Sequence, residues 1–125
     1  MLFYRCSRCG NFITFLTEKT AVTPVCCGET MTELTANTTD AAQEKHVPVL
    51  ERSGNTVTVR VGSAAHPMLD AHYIRFIILE TNKGYQKRDL KPNEAPCAVF
   101  ALAEGEEPTA AYEYCNLHGL WRAEL

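Results

Sequence analysis

The chain lacks the long apolar runs and the basic stripes that would indicate a membrane or a nucleic acid as its partner. No apolar stretch approaches the roughly 20 residues that a spanning helix requires, so we expect no membrane partner. The formal net charge is -3, which argues against nucleic acid as the main partner. The first residues, Met1-Leu2-Phe3-Tyr4 followed by Arg5, also lack the regions of a signal peptide.

Cysteine is the one residue type whose pattern stands out. The chain has six cysteines, and without a signal peptide we expect a cytoplasmic protein whose reduced thiols bind metal rather than form disulfides. A chain of 125 residues can bury one core and a small appendage, but not two ordinary domains. We therefore predict a metal-stapled domain at 1–36 and a larger domain at 37–125, with residues 35–43 as the linker.

Signals for helices are scarce, and the larger domain has the pattern of strands. Val57, Val59 and Val61 alternate with polar residues, and Ser53-Gly54-Asn55 is a typical hairpin turn. We predict extended segments at 2–6, 12–16, 47–51, 56–61, 72–81, 85–90, 97–102, 109–115 and 120–125. With no convincing helix, this spacing predicts an all-β fold: a small metal-binding domain followed by an immunoglobulin-like antiparallel β-sandwich.

The first candidate metal site contains four cysteines. Cys6 and Cys9 form a Cys-x-x-Cys turn whose following glycine, Gly10, permits the tight backbone, and Cys26 and Cys27 are adjacent. A disulfide between Cys26 and Cys27 is disfavoured, because consecutive Cα atoms lie about 3.8 Å apart and disulfides need roughly 4.4 Å or more. Four thiolates specify iron or zinc, and the adjacent pair should distort the tetrahedron. Structural zinc is the alternative to iron.

The second candidate site combines His46, His66, His72, Cys115 and His118. A lone histidine is ordinarily a satisfied core or surface residue, but these lie at strand ends or turns, and loops at one end of a sandwich can converge. Five such ligands exceed the four of structural zinc and leave one octahedral position free. The set therefore favours iron with an open coordination position.

Three separate motifs of the chain resemble those of one known family. They are Glu44-Lys45-His46-Val47-Pro48, His66-Pro67-Met68 with His72-Tyr73-Ile74, and Cys115-Asn116-Leu117-His118-Gly119-Leu120-Trp121. The motifs resemble desulfoferrodoxin, the two-iron class of superoxide reductase, and the likeness covers the whole chain. The four clustered cysteines, including the adjacent pair, resemble the desulforedoxin domain of that family, which holds a rubredoxin-type iron.

The resemblance implies two non-haem iron ions per chain, with zinc possible in the four-cysteine site. It implies that His46, His66, His72 and His118 form the equatorial plane of a ferrous centre and that Cys115 is the axial thiolate. The implied reaction is the one-electron reduction of superoxide to hydrogen peroxide. A rubredoxin-like donor would return the electron, and a homodimer is expected.

Two residues beside His46 are the candidate catalytic residues. Lys45 is expected to steer superoxide and to orient the water that supplies a proton. Glu44 is expected to be the sixth ligand of oxidised iron. If the chain is extended here, Glu44 and His46 share a face while Lys45 points away, so the two residues would need a mobile loop to act in turn.

Other residues are expected to be structural. Cys97 matches no family ligand and is predicted to be a small buried hydrophobe. Trp121, Phe76 and Ile78 are predicted to belong to the sandwich core.

Two other functions fit parts of the sequence. A non-enzymatic electron carrier would use only the four-cysteine centre, and it would show no fast reaction with superoxide. An oxygenase would need a substrate-sized pocket, which an exposed ligand set at loop tips does not suggest.

Overall fold

The computed structural model describes residues 1–125. The chain divides into two compact units, Met1–Thr35 and Ala36–Leu125. This boundary lies one residue before the predicted one, and the metal-binding roles assigned to the two segments stay predictions. None of the helical residues forms a segment that is long and apolar enough to cross a membrane.

The first unit consists of short antiparallel strands. They are β1 (Phe3–Arg5), β2 (Phe12–Thr14), β3 (Val25–Cys26), β4 (Glu29–Thr30) and β5 (Thr32–Glu33). β1 lies between β2 and β5, and β3 pairs with β4. The sequence predicted the two segments that contain β1 and β2 but missed the others, because two residues are too short to show an alternation. Tyr4, Cys6 and Met31 form the small buried core of this unit.

The second unit is a seven-stranded antiparallel β-sandwich, which confirms the predicted fold class. Its strands are β6 (Pro48–Ser53), β7 (Thr56–Val61), β8 (Ile74–Thr81), β9 (Gly84–Asp89), β10 (Cys97–Ala101), β11 (Pro108–Cys115) and β12 (Gly119–Glu124). One sheet has the order β10-β7-β6 and the other the order β12-β11-β8-β9. The predicted hairpin turn joins β6 to β7, and Gly54 there has a φ of 59°, which a glycine adopts without strain.

The sandwich core lies between the two sheets. Val57, Val59 and Val61 pack there as the alternation predicted, together with Ile77 and Leu79 of β8. Phe76, Ile78 and Trp121 are also buried, but they lie outside this core cluster, so the prediction that they belong to the sandwich core is wrong. Since neighbouring residues of a strand face opposite sides, Phe76 and Ile78 lie on the other face of β8 from Ile77 and Leu79.

The expectation of an extended chain at Glu44–His46 is wrong. Residues Gln43–His46 form a single helical turn, α1, whose amide hydrogen bonds run from Lys45 to Ala42 and from Val47 to Gln43. The turn lets the His46 ring reach the carbonyl of Ala42, four residues earlier. One turn carries no periodic pattern, so the sequence did not indicate it.

His72 also lies outside a regular strand. β8 begins at Ile74, two residues later than predicted. His72 instead forms an isolated bridge with Leu69, in which each backbone amide donates to the other residue's carbonyl. The histidine is therefore presented by a tight turn ahead of the strand.

Candidate metal centres

The structure brings together all five residues of the predicted histidine and cysteine site. His46 ends α1, His66 lies in the loop after β7, and His72 lies in the turn before β8. Cys115 is the last residue of β11, and His118 lies in the turn that leads to β12. Their candidate ligand atoms all lie within 4.8 Å of one another.

The four imidazole rings form a square. Neighbouring ring centroids are separated by 4.7 Å for His46 and His66, 4.6 Å for His66 and His72, 5.0 Å for His72 and His118, and 4.8 Å for His118 and His46. The rings of His46 and His72 lie across the square at 6.5 Å, as a diagonal requires. Neighbouring rings are nearly perpendicular, at 75° to 89°. This arrangement directs four nitrogens toward one central point.

Backbone carbonyls decide which nitrogen of two rings faces the centre. The Nδ1 of His46 lies 2.7 Å from the Ala42 oxygen, and the Nδ1 of His66 lies 2.6 Å from the Pro67 oxygen. A carbonyl can only accept, so each Nδ1 donates its hydrogen and each Nε2 keeps its lone pair for a metal. The two Nε2 atoms are 3.2 Å apart.

The other two histidines present different nitrogens. The Nδ1 of His118 lies 3.1 Å from the Nε2 of His46, so this ring faces the centre through Nδ1. The Nε2 of His72 is buried and has no hydrogen-bond partner in the protein. A buried nitrogen without a partner costs free energy, and a metal at the centre of the square would satisfy it.

Burial favours the neutral form of three of the histidines, as metal ligation requires. Burial lowers the pKa of His66 to about 4, with the Pro67 carbonyl acting in the opposite direction. Burial also lowers the pKa of His46 and of His72, and the positive charge of Lys45 adds to the lowering in both. The Lys45 charge therefore acts on two opposite corners of the square. Both Lys45 and Glu44 are exposed to solvent.

Cys115 supplies the one sulfur of this centre. It is fully buried, and burial raises the pKa of its thiol, while the backbone amides of His118 and Leu117 donate to the sulfur and lower the pKa. Its Sγ lies 3.8 Å from the Nδ1 of His118. Metal binding at this centre must therefore displace the thiol proton.

The residues present fit a five-ligand metal centre. Bonds of about 2.1 Å at right angles place neighbouring nitrogens about 3.0 Å apart, and the pairs on His46 are 3.1 and 3.2 Å apart. Four imidazoles with one thiolate suit iron. The expectation that the ligands lie at exposed loop tips is wrong, because His46, His66 and Cys115 are buried by the sandwich around them.

The four-cysteine site is also brought together. The sulfurs of Cys6, Cys9, Cys26 and Cys27 all lie within 4.8 Å of one another. The adjacent pair can share the site because Cys27 has a left-handed φ of 52°. Its Sγ lies 4.0 Å from that of Cys26, about twice a disulfide bond length, and every cysteine of the chain is a free thiol.

The four sulfurs differ in how readily they lose a proton, and their spacing suits a tetrahedral metal ion. The backbone amide of Cys9, 3.4 Å from the Cys6 sulfur, lowers the pKa of Cys6 to about 6. Hydrogen bonding with Cys9, Cys6 and Cys26 raises the pKa of Cys27 to about 12. Tetrahedral bonds of about 2.3 Å separate sulfurs by about 3.8 Å, and Cys9 and Cys26 are 3.6 Å apart. The site therefore fits zinc or iron.

Two other residues lie near the histidine centre, and the sequence singled out only Trp121 of them. Trp121 stacks on the His46 ring at 5.0 Å and donates from its indole nitrogen to the His118 carbonyl. Glu113 is fully buried, and both of its carboxylate oxygens lack a hydrogen-bond partner. The alternation of β11 could have placed Glu113 on the same face as Cys115, but its burial depends on the opposite sheet.

Cys97 belongs to neither ligand group. It was predicted to be buried, but it is only half-buried. It lines a cavity of about 250 Å³ together with Gly62, Ser63 and Pro96, among others. The exposure arises because β10 is the outer strand of its sheet.

Comparisons with known proteins agree over nearly all of the chain. A family model described as desulfoferrodoxin matches residues 38–124. A desulfoferrodoxin from Syntrophotalea carbinolica is 46% identical over 97% of this chain and 94% of its own length. The solved superoxide reductase from Treponema pallidum is 37% identical, with a TM-score of 0.82 and 98% of both chains covered. The superoxide reductase (1Fe-SOR) from Giardia intestinalis is 37% identical, with a TM-score of 0.55, over 66% of this chain and 99% of that one.

Proposed function

Because this chain belongs to the desulfoferrodoxin family, we propose that it is a superoxide reductase, an oxidoreductase that converts superoxide into hydrogen peroxide. Each turnover consumes one superoxide, one electron and two protons. The square of four imidazoles with one buried thiolate within reach supports this proposal. Ferrous iron bound there would supply the electron, and with four neutral imidazoles and one thiolate it would keep a net charge of about +1.

The neighbouring side chains suit an anionic substrate. Lys45 is exposed on α1, next to the ligand His46, and its charge acts on both His46 and His72. We assign to Lys45 the attraction of superoxide and the orientation of a proton-donating water. We assign to Glu44 the sixth coordination position of the oxidised centre.

The four-cysteine unit is proposed to hold the second iron of the chain, with zinc as the alternative. All four ligand positions there are taken by cysteines, so this centre can stabilise its unit or carry an electron but cannot bind substrate. A rubredoxin-like protein is the proposed electron donor.

We further propose a homodimer, because the small core of the first unit gains from packing on a copy of itself. Six free thiols support a cytoplasmic location.

A pulse of superoxide onto the reduced, iron-loaded protein tests the proposal. We expect one hydrogen peroxide per superoxide consumed, no dioxygen, and oxidation of one histidine-ligated centre per event. The Cys115→Ser variant is the control for that centre, because it keeps the four-cysteine site. Release of dioxygen with half as much peroxide would identify a dismutase. The absence of any fast reaction would favour the electron carrier.

A further inference from the structure

Asn116 connects the turn that carries His72 to the segment that carries Cys115 and His118. Its side-chain oxygen accepts from the backbone amide of Tyr73 at 2.9 Å, and its side-chain nitrogen donates to the carbonyl of Ala71 at 3.0 Å. Its own backbone amide donates to the Tyr73 carbonyl at 3.2 Å. Asn116 therefore hydrogen-bonds the residues on both sides of His72, and it directly follows Cys115.

The His72 ring needs such support more than the rings of His46 and His66 do. The rings of His46 and His66 are each fixed by a hydrogen bond from Nδ1 to a backbone carbonyl. No protein group hydrogen-bonds the ring of His72, and its Nε2 is buried without a partner. The direction of this ring is therefore set through its backbone.

The backbone of His72 lies in a tight turn with few other supports. The only hydrogen bonds of its own amide and carbonyl are those with Leu69, which belongs to the same turn. That pairing shapes the turn but does not attach it to the rest of the sandwich. The contacts with Asn116 reach a residue 43 positions further along the chain.

We propose that Asn116 is a positioning residue that holds His72 in register with the Cys115 and His118 turn. This inference rests on the proposed function, because it assigns to Asn116 the completion of the five-ligand centre. Asn116 acts through His72 and has no role as a ligand. Its loss should leave three histidines and the cysteine in place and free the fourth histidine.

The release of ferrous iron to a chelator in excess measures this role without relying on activity. We expect Asn116→Ala to release iron from the histidine centre about 10- to 100-fold faster than the unsubstituted protein, because loss of a residue that orients a ligand typically lowers metal affinity by that factor. The visible spectrum of the oxidised histidine centre should shift, while that of the four-cysteine centre stays unchanged.

The chain offers a matched control at Asn82. Its side-chain nitrogen donates to the Gly105 carbonyl at 3.1 Å, and its oxygen accepts from the Glu107 amide at 2.8 Å. Asn82→Ala therefore removes the same pair of hydrogen bonds from the same sandwich, away from the ligands. We expect it to lower the melting temperature without changing iron release. Equal effects of the two variants on iron release would overturn the proposal.

A double substitution separates positioning from general stability. If Asn116 acts through His72, adding Asn116→Ala to His72→Ala should not accelerate iron release further. Additive acceleration would show that Asn116 supports the fold or another ligand, and it would overturn the proposal.

Hydrogen exchange in the metal-free protein provides a second readout. The Tyr73 amide should exchange faster in Asn116→Ala, because its acceptor is lost. Asn116→Asp keeps an acceptor oxygen, so the Tyr73 amide should stay protected in that variant. Exchange at Tyr73 that is unchanged in Asn116→Ala would refute the proposed contact. If the Ala variant does not fold, iron release from Asn116→Asp provides the test, because that variant loses the donor to the Ala71 carbonyl.

These results separate the inference from the proposed function. A protein that gives no peroxide from superoxide but shows fast, non-additive iron release in Asn116→Ala would refute the function and keep the role of Asn116. A protein that reduces superoxide and releases iron at the same rate with and without Asn116 would keep the function and refute this role.

Discussion

Lys45 is the charged residue whose placement bears most directly on the reaction with superoxide. It is exposed, and its charge reaches two of the histidines. At about 6 Å a unit charge contributes roughly 0.7 kcal/mol in bulk water and nearer 3 kcal/mol at an effective dielectric of about 20. The side chain can therefore change the association rate without belonging to the metal centre.

We predict that Lys45→Ala slows the second-order reaction with superoxide by about threefold to a hundredfold, and that it weakens the dependence of the rate on ionic strength. Pulse radiolysis at several salt concentrations measures both effects. Lys45→Arg keeps the charge and should keep the salt dependence. A rate for Lys45→Ala that is unchanged at low salt would remove this residue from the mechanism.

His66 makes the stability of the metal-free protein depend on acid. Burial lowers its pKa from 6.5 to about 4 in the folded state. Between these pH values the unfolded chain binds more protons at this residue, so the free energy of unfolding falls as the pH is lowered from 6.5 toward 4. We predict that the melting temperature of the metal-free protein falls over this window. His66→Phe should have a weaker pH dependence there, and an equal dependence would contradict the assignment.

Glu113 has the opposite effect on stability. Burial raises the pKa of this carboxyl well above 4.5. The folded state therefore binds more protons than the unfolded state above pH 4.5, and the free energy of unfolding falls as the pH rises. We predict that Glu113→Gln, which cannot ionise, has a melting temperature less sensitive to pH between 5 and 8. Glu80→Gln, on the half-buried part of β8, is the control. If both variants keep the slope of the unsubstituted protein, Glu113 does not cause it.

At the scale of elements, the helical turn α1 depends on a glycine in the loop after β7. A Cβ placed on Gly62 would lie 2.7 Å from the Glu44 carbonyl oxygen and 3.0 Å from that of Val47. The same loop holds the Glu44 carbonyl through the amide of Ala64 at 2.8 Å and the hydroxyl of Ser63 at 3.3 Å. The loop that carries His66 and the turn that carries His46 are thus packed backbone to backbone.

We predict that Gly62→Ala forces these two segments apart and destabilises the protein by about 1–3 kcal/mol, as overpacking does. The variant should also release iron faster and react more slowly with superoxide, because His46 and Lys45 move with the displaced α1. Ser63→Ala removes a contact without adding an atom and should have a smaller effect. Denaturant unfolding and iron release measure the two effects. Equal stability of Gly62→Ala and the unsubstituted protein would show that α1 can shift away from the added methyl group without a loss of free energy.

The regular elements show which features of the fold local sequence patterns predict. Alternation predicted β7 with its buried valines, and the turn residues predicted the hairpin to β6, because both signals lie within a few neighbouring residues. The same reasoning failed at α1, because one turn carries no periodic pattern and the loop after β7 holds it in place. It also placed the start of β8 too early, because the His72 turn is held by Asn116 from a distant part of the chain.

At the scale of the whole molecule, the two compact units each gather one ligand set. We predict two irons per chain and two distinct ferric chromophores in the fully loaded protein. Cys115→Ser should lose the histidine-centre chromophore only, and Cys9→Ser should lose the four-cysteine chromophore only. Iron quantitation with visible spectra checks this. Loss of both chromophores in either variant would contradict two independent centres.

The sequence by itself determined which residues have ligand chemistry, because imidazole and thiolate donors are properties of side-chain type and their motifs are short. It also determined the all-β architecture, because alternation is a local property of each strand. Only the tertiary structure decided that His46 and His118, which are 72 positions apart, meet at 3.1 Å. It also decided which nitrogens face the centre and that Asn116 hydrogen-bonds the residues on both sides of His72. The contacts of His46 with His118 and of Asn116 with the His72 turn join segments that are distant in the chain and become neighbours only in the folded protein.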